Sequence, residues 1–247
     1  MSTSASEESK LPDHFYVDQK TMQCPICHGT KFKEQQILWP ELINSWKLSQ
    51  SEIQMLNQQQ GMSCLNCGSN LRSMTLAGAI LTWLNQKKTF QSIYKEPAIE
   101  KLHVLEINEA GTLHAYLMQY PNHTFAIYPE VDIQALPYAS GSFNLLVHSD
   151  TLEHVPDPVK ALKECYRVLM PGGCMAMTVP ILPTRLNRRR HEMPHSYHGC
   201  SAETKEDMLV YTEYGADFYS DMIAAGWQKI SLYTLGSMAS IAIAALK

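Results

Sequence analysis

The residues with the clearest chemistry are four cysteines in two pairs, Cys24-Pro25-Ile26-Cys27 and Cys64-Leu65-Asn66-Cys67. A CxxC turn lets both sulfurs face one ion, and two such turns complete a tetrahedral thiolate site for zinc. Each pair runs into a turn-forming dipeptide, His28-Gly29 in one and Gly68-Ser69 in the other. Four thiolates leave no open coordination position, so such a zinc is structural and staples a segment too small to fold alone. A thioredoxin-type redox role needs a CxxC that opens a helix after a strand, and neither pair has that context. Cys165, Cys174 and Cys200 read as core or loop thiols. A second apparent metal motif, His191-Glu192-Met193-Pro194-His195, matches the HExxH of zinc proteases. That chemistry needs both histidines on one helical face, and Pro194 would break the helix, so the match is set aside.

The chain that must position these groups has 247 residues, 45% of them hydrophobic and 18% charged. That is enough to bury a substantial core and excludes a disordered chain. A net charge of −4 and a pI near 6.2 disfavour nucleic acid as a partner of the whole chain. The first 21 residues are polar and lack the apolar run of a secretory signal, and Met238–Leu246 is too short to span a bilayer. The expectation is a cytoplasmic protein with no membrane span. Its expected organisation is a disordered polar tail over 1–21, a zinc-ribbon-like segment with inserted helices over 22–72, a helical connector over 73–100 and a larger domain over 101–247. Between the cysteine pairs the pattern predicts helices over 40–47 and 51–60, the second opened by Ser49 and Glu52 at capping-box spacing. An amphipathic helix follows over 71–85. Beyond it, strands at 101–107, 124–128, 143–148, 174–179, 227–232 and 238–245 alternate with helices at 112–119, 158–168 and 217–225. Pro171-Gly172-Gly173 is expected to stop the second of these helices. Such alternation predicts a mainly parallel sheet with helices on both faces, and a ligand at the carboxyl ends of its strands.

The stretch LPYASGSFNLLVHSDTLEHVPDPVKALKECYRVLMPGG, followed by CMAMTVP, closely resembles class I S-adenosylmethionine-dependent methyltransferases of the type 11 kind. It matches their post-adenine loop, fourth strand, following helix and fifth strand, from about Leu136 to Pro180. A weaker match continues through Tyr214-Gly215-Ala216-Asp217-Phe218 to Gly226-Trp227, for about 145 residues together. The resemblance implies a Rossmann-like α/β fold, S-adenosylmethionine as cofactor and methyl transfer as the activity. A cysteine ribbon ahead of this domain resembles bacterial members associated with glycan or cell-surface biosynthesis. It is also the layout of zinc-ribbon rRNA guanine methyltransferases, the alternative enzyme. A catalytically silent methyltransferase-like binding module is the alternative outside enzymes.

The family's first strand ends in a carboxylate and a GxGxG turn. Here the segment is Val104-Leu105-Glu106-Ile107-Asn108-Glu109-Ala110-Gly111-Thr112. Glu106 takes the carboxylate position, Asn108, Ala110 and Thr112 stand where the glycines would be, and Gly111 is displaced by one. Asn tolerates left-handed backbone and Ala is small, so a turn that presents N–H groups to the cofactor is retained. Only twelve residues separate Gln119 from Asp132, too few for the full crossover, so a helix and a strand are expected to be missing. The resemblance then implies Glu130 at the cofactor's ribose hydroxyls, Asp132 at its adenine amino group with Ile133 beside it, and His148 at the end of the fourth strand.

Methyl transfer to a hydroxyl needs alignment of the acceptor and removal of a proton. His154, in Thr151-Leu152-Glu153-His154, and His148 are the candidate general bases. The acceptor is expected to be a small molecule or a glycan-linked group. Between Pro180 and Tyr211 lies a basic insertion with Arg185, Arg188, Arg189, Arg190, His195, Tyr197 and His198. Guanidinium groups after the fifth strand suit a grip on a phosphate or carboxylate of that acceptor.

Overall fold

The computed structural model describes residues 22–197 and 206–247. The expected tail over 1–21, His198 and Cys200 lie outside the described residues. Strand β1 (Phe32–Lys33) leads into helices α1 (Pro40–Trp46) and α2 (Gln50–Gly61), and β2 (Ser63–Cys64) returns antiparallel to β1. The capping box forms as expected: Ser49 N–H donates to Glu52 Oε2 at 2.8 Å while Ser49 Oγ accepts from Glu52 N–H. Helix α3 (Leu71–Trp83) opens on Asn70, whose Oδ1 accepts from Ser73 N–H at 2.9 Å. Nearly every side chain from Leu71 to Leu81 is buried, since α3 packs between the ribbon and the sheet. Gly78 permits this packing, because a Cβ there would stand 2.3 Å from the Tyr233 ring.

Helices α4 (Phe90–Ile93) and α5 (Pro97–Glu100) bring the chain to β3 (His103–Ile107). A 3-10 turn at Gly111–Leu113 runs into α6 (His114–Leu117), then β4 (Asn122–Ala126), β5 (Phe143–Ser149), α7 (Pro158–Val168) and β6 (Leu169–Thr178). The short strands β7 (Ile181–Leu182), β8 (Arg188–Arg189) and β9 (Thr212–Gly215) make a small separate sheet. Helix α8 (Ser220–Ala224), β10 (Lys229–Leu235) and β11 (Ser237–Leu246) complete the chain.

The main sheet has the order β4-β3-β5-β6-β11-β10. β4, β3, β5 and β6 are parallel, and β11 runs antiparallel to both β6 and β10. This is the expected Rossmann-like α/β architecture. β4 is the edge, with no strand beyond it among the described residues, which accords with the short span between Gln119 and Asp132. The two faces follow the period of two along β5: Leu145 and Val147 join α3 and the ribbon, while Leu146 joins α7 and α8. Pro171-Gly172-Gly173 acts differently from expectation. α7 ends at Val168 and β6 begins at once at Leu169. These three residues lie in a bulge, with Phe143 opposite Leu169 but Leu145 opposite Cys174, and Gly172 has φ +78°. On the far side, Trp46 and Leu56 of α1 and α2 pack with Leu182 and Val210, and Trp46 Nε1–H donates to Ser196 Oγ at 2.9 Å.

Candidate functional site

The two CxxC segments fold as matching knuckles. His28 N–H donates to Cys24 O and Gly68 N–H to Cys64 O, each at 2.8 Å, with His28 at φ 59° and Gly68 at φ +75°. The four Sγ atoms lie within 4.8 Å of one another, Cys24 to Cys67 at 3.7 Å and Cys27 to Cys64 at 3.6 Å. Tetrahedral zinc with bonds of about 2.3 Å places its sulfurs about 3.8 Å apart, so the donor set has the spacing zinc requires. Gly29 keeps the space clear, since a Cβ there would stand 2.8 Å from Cys64 Sγ. This is the one group of metal-ligating residues among the described residues. His191 and Glu192 of the HExxH match are exposed and non-helical, with side chains 72% and 89% accessible.

At the carboxyl ends of β3, β4 and β5 lies a cleft of about 350 Å³. Of the candidate site residues, Asn108, Asp132, Ile133 and His154 line it, joined by Tyr128, Asp150, Asp207 and Tyr211. Asn108 explains how the turn works without its first glycine. It has φ 54°, its Oδ1 accepts from Tyr128 N–H at 3.0 Å, and its Nδ2 reaches Thr151 Oγ1 at 3.5 Å. Asp132 accepts from Gln134 N–H at 2.8 Å, which fixes the carboxylate at the wall. The segment after it is anchored from α7. Arg167 donates to the carbonyls of Leu136 and Tyr138 and is paired with Glu164, which accepts from Leu136 N–H.

Four expected site residues are not brought to the cleft wall. Glu106 is fully buried beneath the turn, where it accepts from Ala110 N–H and contacts His114 Nδ1 and His123 Nε2, each at 2.9 Å. Burial alone would raise its pKa, but hydrogen bonds from His123, the Ala110 N–H and His114 hold the carboxyl below its usual range. Gly111 (φ +57°) faces Ser73 and Arg72 of α3 rather than the cleft. Glu130 is exposed, while Tyr128 before it and Val131 after it line the cleft. His148 lies within the sheet with no exposure and no hydrogen-bond partner on either ring nitrogen, and burial pushes its pKa down to about 4. His154 is the histidine at the wall. Its Nδ1 lies 3.0 Å from Leu209 O, a contact that requires the Nδ1–H tautomer, and its Nε2 lies 3.8 Å from Glu153 Oε1. Burial lowers its pKa, against the Leu209 carbonyl and the charges of Asp150 and Asp207.

Residues 77–177 match the family model described as "Methyltransferase domain". Over that span the chain matches a methyltransferase domain. It is 40% identical over 55 residues to 2-methyl-6-phytyl-1,4-hydroquinone methyltransferase 2, chloroplastic, of Oryza sativa, covering 22% of this chain and 16% of that protein. It is 28% identical over 134 residues to ubiquinone biosynthesis O-methyltransferase of Coxiella burnetii, covering 53% and 48%. The chain thus spans less than half the length of these curated relatives. Among solved structures, it is similar to a methyltransferase of Thermotoga maritima described as a possible histamine N-methyltransferase. There the TM-score is 0.41 and the identity 14%, covering 72% of this chain and 90% of that one. No helix among the described residues is long and apolar enough to cross a membrane.

The structure places the arginines of the insertion away from the cleft. None of Arg185, Arg188, Arg189 and Arg190 lines the cleft, and each is bonded to a carboxylate of this chain. Arg185 meets Glu52 through two bonds of 2.6 and 2.8 Å and Arg189 meets Asp221 at 2.5 Å, while Arg188 and Arg190 share Glu213. The guanidinium groups tie β8 to β9 and to α1 and α2, so they are spent on the fold. From the segment after β6, Asp207, Met208 and Tyr211 line the cleft. A residue the sequence did not single out is Arg72 of α3, which pairs with Asp150 at the cleft. A lone arginine early in an amphipathic helix reads as a solvated charge, and nothing local marks it otherwise.

The Glu52 contact carries a pH consequence. Bonds from Arg185, Thr184 and Ser49 outweigh burial and bring its carboxyl down to about 2 from 4.5. A folded pKa below the unfolded one stabilises the fold above pH 4.5, and that contribution is lost as pH falls towards 2. Urea melts of the chain should lose at most about 3 kcal/mol through this group over that window. Glu52→Gln should be less stable at pH 7 and flatter with pH. Parallel curves for the two proteins would refute the assignment.

Proposed function

We propose that the chain is an S-adenosylmethionine-dependent methyltransferase acting on a small-molecule or glycan-linked acceptor, with a structural zinc in the Cys24, Cys27, Cys64 and Cys67 cluster. The observation that carries the first part is the cleft at the carboxyl ends of β3, β4 and β5 in a domain of this family. Its wall fits a cation. Among the described residues, the ionisable side chains that line it are Glu109, Asp132, Asp150, Asp207, His154 and two tyrosines, with no lysine or arginine. S-adenosylmethionine, when bound, supplies an electrophilic methyl on a cationic sulfonium. Asp132 would accept from the adenine amino group, and Ile133 would pack on its ring. Arg72, beside both Gly111 and Asp150, would meet the carboxylate of the amino-acid half. His154, the histidine at the wall, would take the acceptor's proton, with the Leu209 carbonyl orienting its ring. The names of the plant and Coxiella relatives, which concern hydroquinone and ubiquinone synthesis, support a small-molecule acceptor. The same acid-lined wall disfavours the phosphate- or carboxylate-bearing acceptor. For the zinc, the support is the sulfur spacing and the clearance at Gly29.

Calorimetric titration with S-adenosylmethionine tests the reading. The 247-residue chain should bind one equivalent. Asp132→Ala should bind at least tenfold more weakly, since a charge-assisted hydrogen bond contributes about 1.5–3 kcal/mol. A chain that gives no binding is the silent module. A variant that binds as wild type would move the adenine end elsewhere.

A further inference from the structure

The turn over 108–112 lacks the family's glycines, yet it holds two left-handed residues, Asn108 at φ 54° and Gly111 at φ +57°. Its stability must come from contacts. From inside the sheet, Glu106 Oε1 accepts from Ala110 N–H. Asn108 is held by Ala126, Tyr128 and Thr151, while Gly111 and Thr112 meet the stretch from Ser69 to Ser73, which directly follows the second knuckle. Thr112 Oγ1–H donates to Ser69 Oγ at 2.8 Å. Ser69 is fully buried, and its Oγ lies 3.3 Å from Cys67 Sγ. Its backbone O accepts from Cys64 N–H at 2.9 Å. A Cβ at Gly111 would stand 2.8 Å from Ser73 Oγ and 3.4 Å from Arg72 Nη2. The stretch is held by Asn70, which caps α3 as the chain leaves the knuckle.

We propose that the second cysteine knuckle is part of the cofactor site: through Ser69 and Thr112 it holds the turn over 108–112 in its binding form, so that S-adenosylmethionine binds tightly only while the metal cluster is intact. This rests on the cofactor and zinc readings above. A metal-bound thiolate accepts hydrogen bonds and donates none. Ser69 therefore gives its proton to Cys67 Sγ and accepts from Thr112, which sets one direction for the chain from Thr112 through Ser69 to Cys67. Without the ion the knuckle has no common partner for its sulfurs, Ser69 loses its fixed place, and Thr112 loses its acceptor. Ser69 and Thr112 are positioning residues. By linkage the coupling is reciprocal, so bound cofactor should tighten the metal by the factor that the metal tightens cofactor.

The test uses the 247-residue chain with metal content measured in every sample. Thr112→Val lies across from the knuckle and should keep one zinc per chain, yet bind S-adenosylmethionine roughly five- to tenfold more weakly, the effect of one lost hydrogen bond. Thr112→Ser, which keeps the hydroxyl, should bind within about twofold of wild type. Zinc release to a chromogenic chelator should be slowed by S-adenosylmethionine in wild type and not in Thr112→Val. Ser69→Ala should follow Thr112→Val in affinity. Thr112→Val with wild-type affinity, or cofactor that leaves zinc release unchanged in wild type, overturns the proposal while leaving the cofactor reading intact. A wild-type chain that binds zinc but no cofactor overturns both.

Discussion

The 247-residue chain purified in the presence of zinc and then dialysed should carry one metal ion per chain, and Cys24→Ser should carry none. The expected effect is the largest of any single change in the molecule. Apparent binding energies of structural zinc in small peptides are about 10–16 kcal/mol at neutral pH, and that energy is folding energy where no other core exists. The ribbon has little else: β1 and β2 are two residues each. Cys24 and Cys64 are also buried in the same apolar cluster as Leu71, Met74 and Ile80 of α3, and that cluster continues to Val104 and Val147 of the main sheet. Loss of the ion should thus spread from the knuckles into α3, which covers that face of the sheet. Thermal melts with and without a strong chelator give the readout. The treated wild type and Cys24→Ser should melt alike, well below the metal-bound chain. A chain that holds no metal and melts identically with chelator would leave four reduced thiols that merely sit close together.

What the sequence makes legible here is what depends on near neighbours. The capping box at Ser49 and Glu52 forms α2, and Asp157 with Pro158 opens α7 where the pattern places it. The CxxC spacing brings four sulfurs together although 36 residues intervene. In these cases the deciding bonds span three or four residues, or the chemistry of the side chains admits one common partner. The misplaced site residues fail on the other kind of information. Glu130 and Tyr128 are two positions apart, and which one reaches the cleft depends on where β4 ends against β3, a register that sequence does not state. The arginines of the insertion looked free because their partners, Glu52, Glu213 and Asp221, lie 23 to 133 residues away. Charge in sequence is visible, but neutralisation requires the fold. His148 and His154 are six apart, and only the pairing of β5 between β3 and β6 shows that one is sealed in the sheet and the other faces the cleft.

Glu213→Gln should destabilise the chain by about 3–5 kcal/mol, the usual cost of removing one partner from a buried ion pair. Glu213 has no side-chain exposure, and Arg190 opposite it has 2%. Arg190 also donates to Pro194 O at 2.8 Å and Ser45 Oγ at 3.2 Å, so the guanidinium cannot swing out to water without breaking those bonds. Its charge would remain buried with only neutral acceptors. Arg188, which shares the same carboxylate and is half-buried, can turn outward and adds less. For a domain whose total stability is about 5–15 kcal/mol, the loss should lower the melting temperature by roughly 6–20 °C. The double variant Glu213→Leu with Arg190→Met removes both charges and should recover most of the loss, because an uncompensated charge costs more than an absent pair. Cofactor affinity measured well below the melt should remain within about threefold of wild type, since neither residue lines the cleft. An acceptor grip predicts the reverse pattern. If the arginines served the acceptor, Glu213→Gln would leave the fold intact and free their charge, and the apparent affinity for an anionic acceptor would rise.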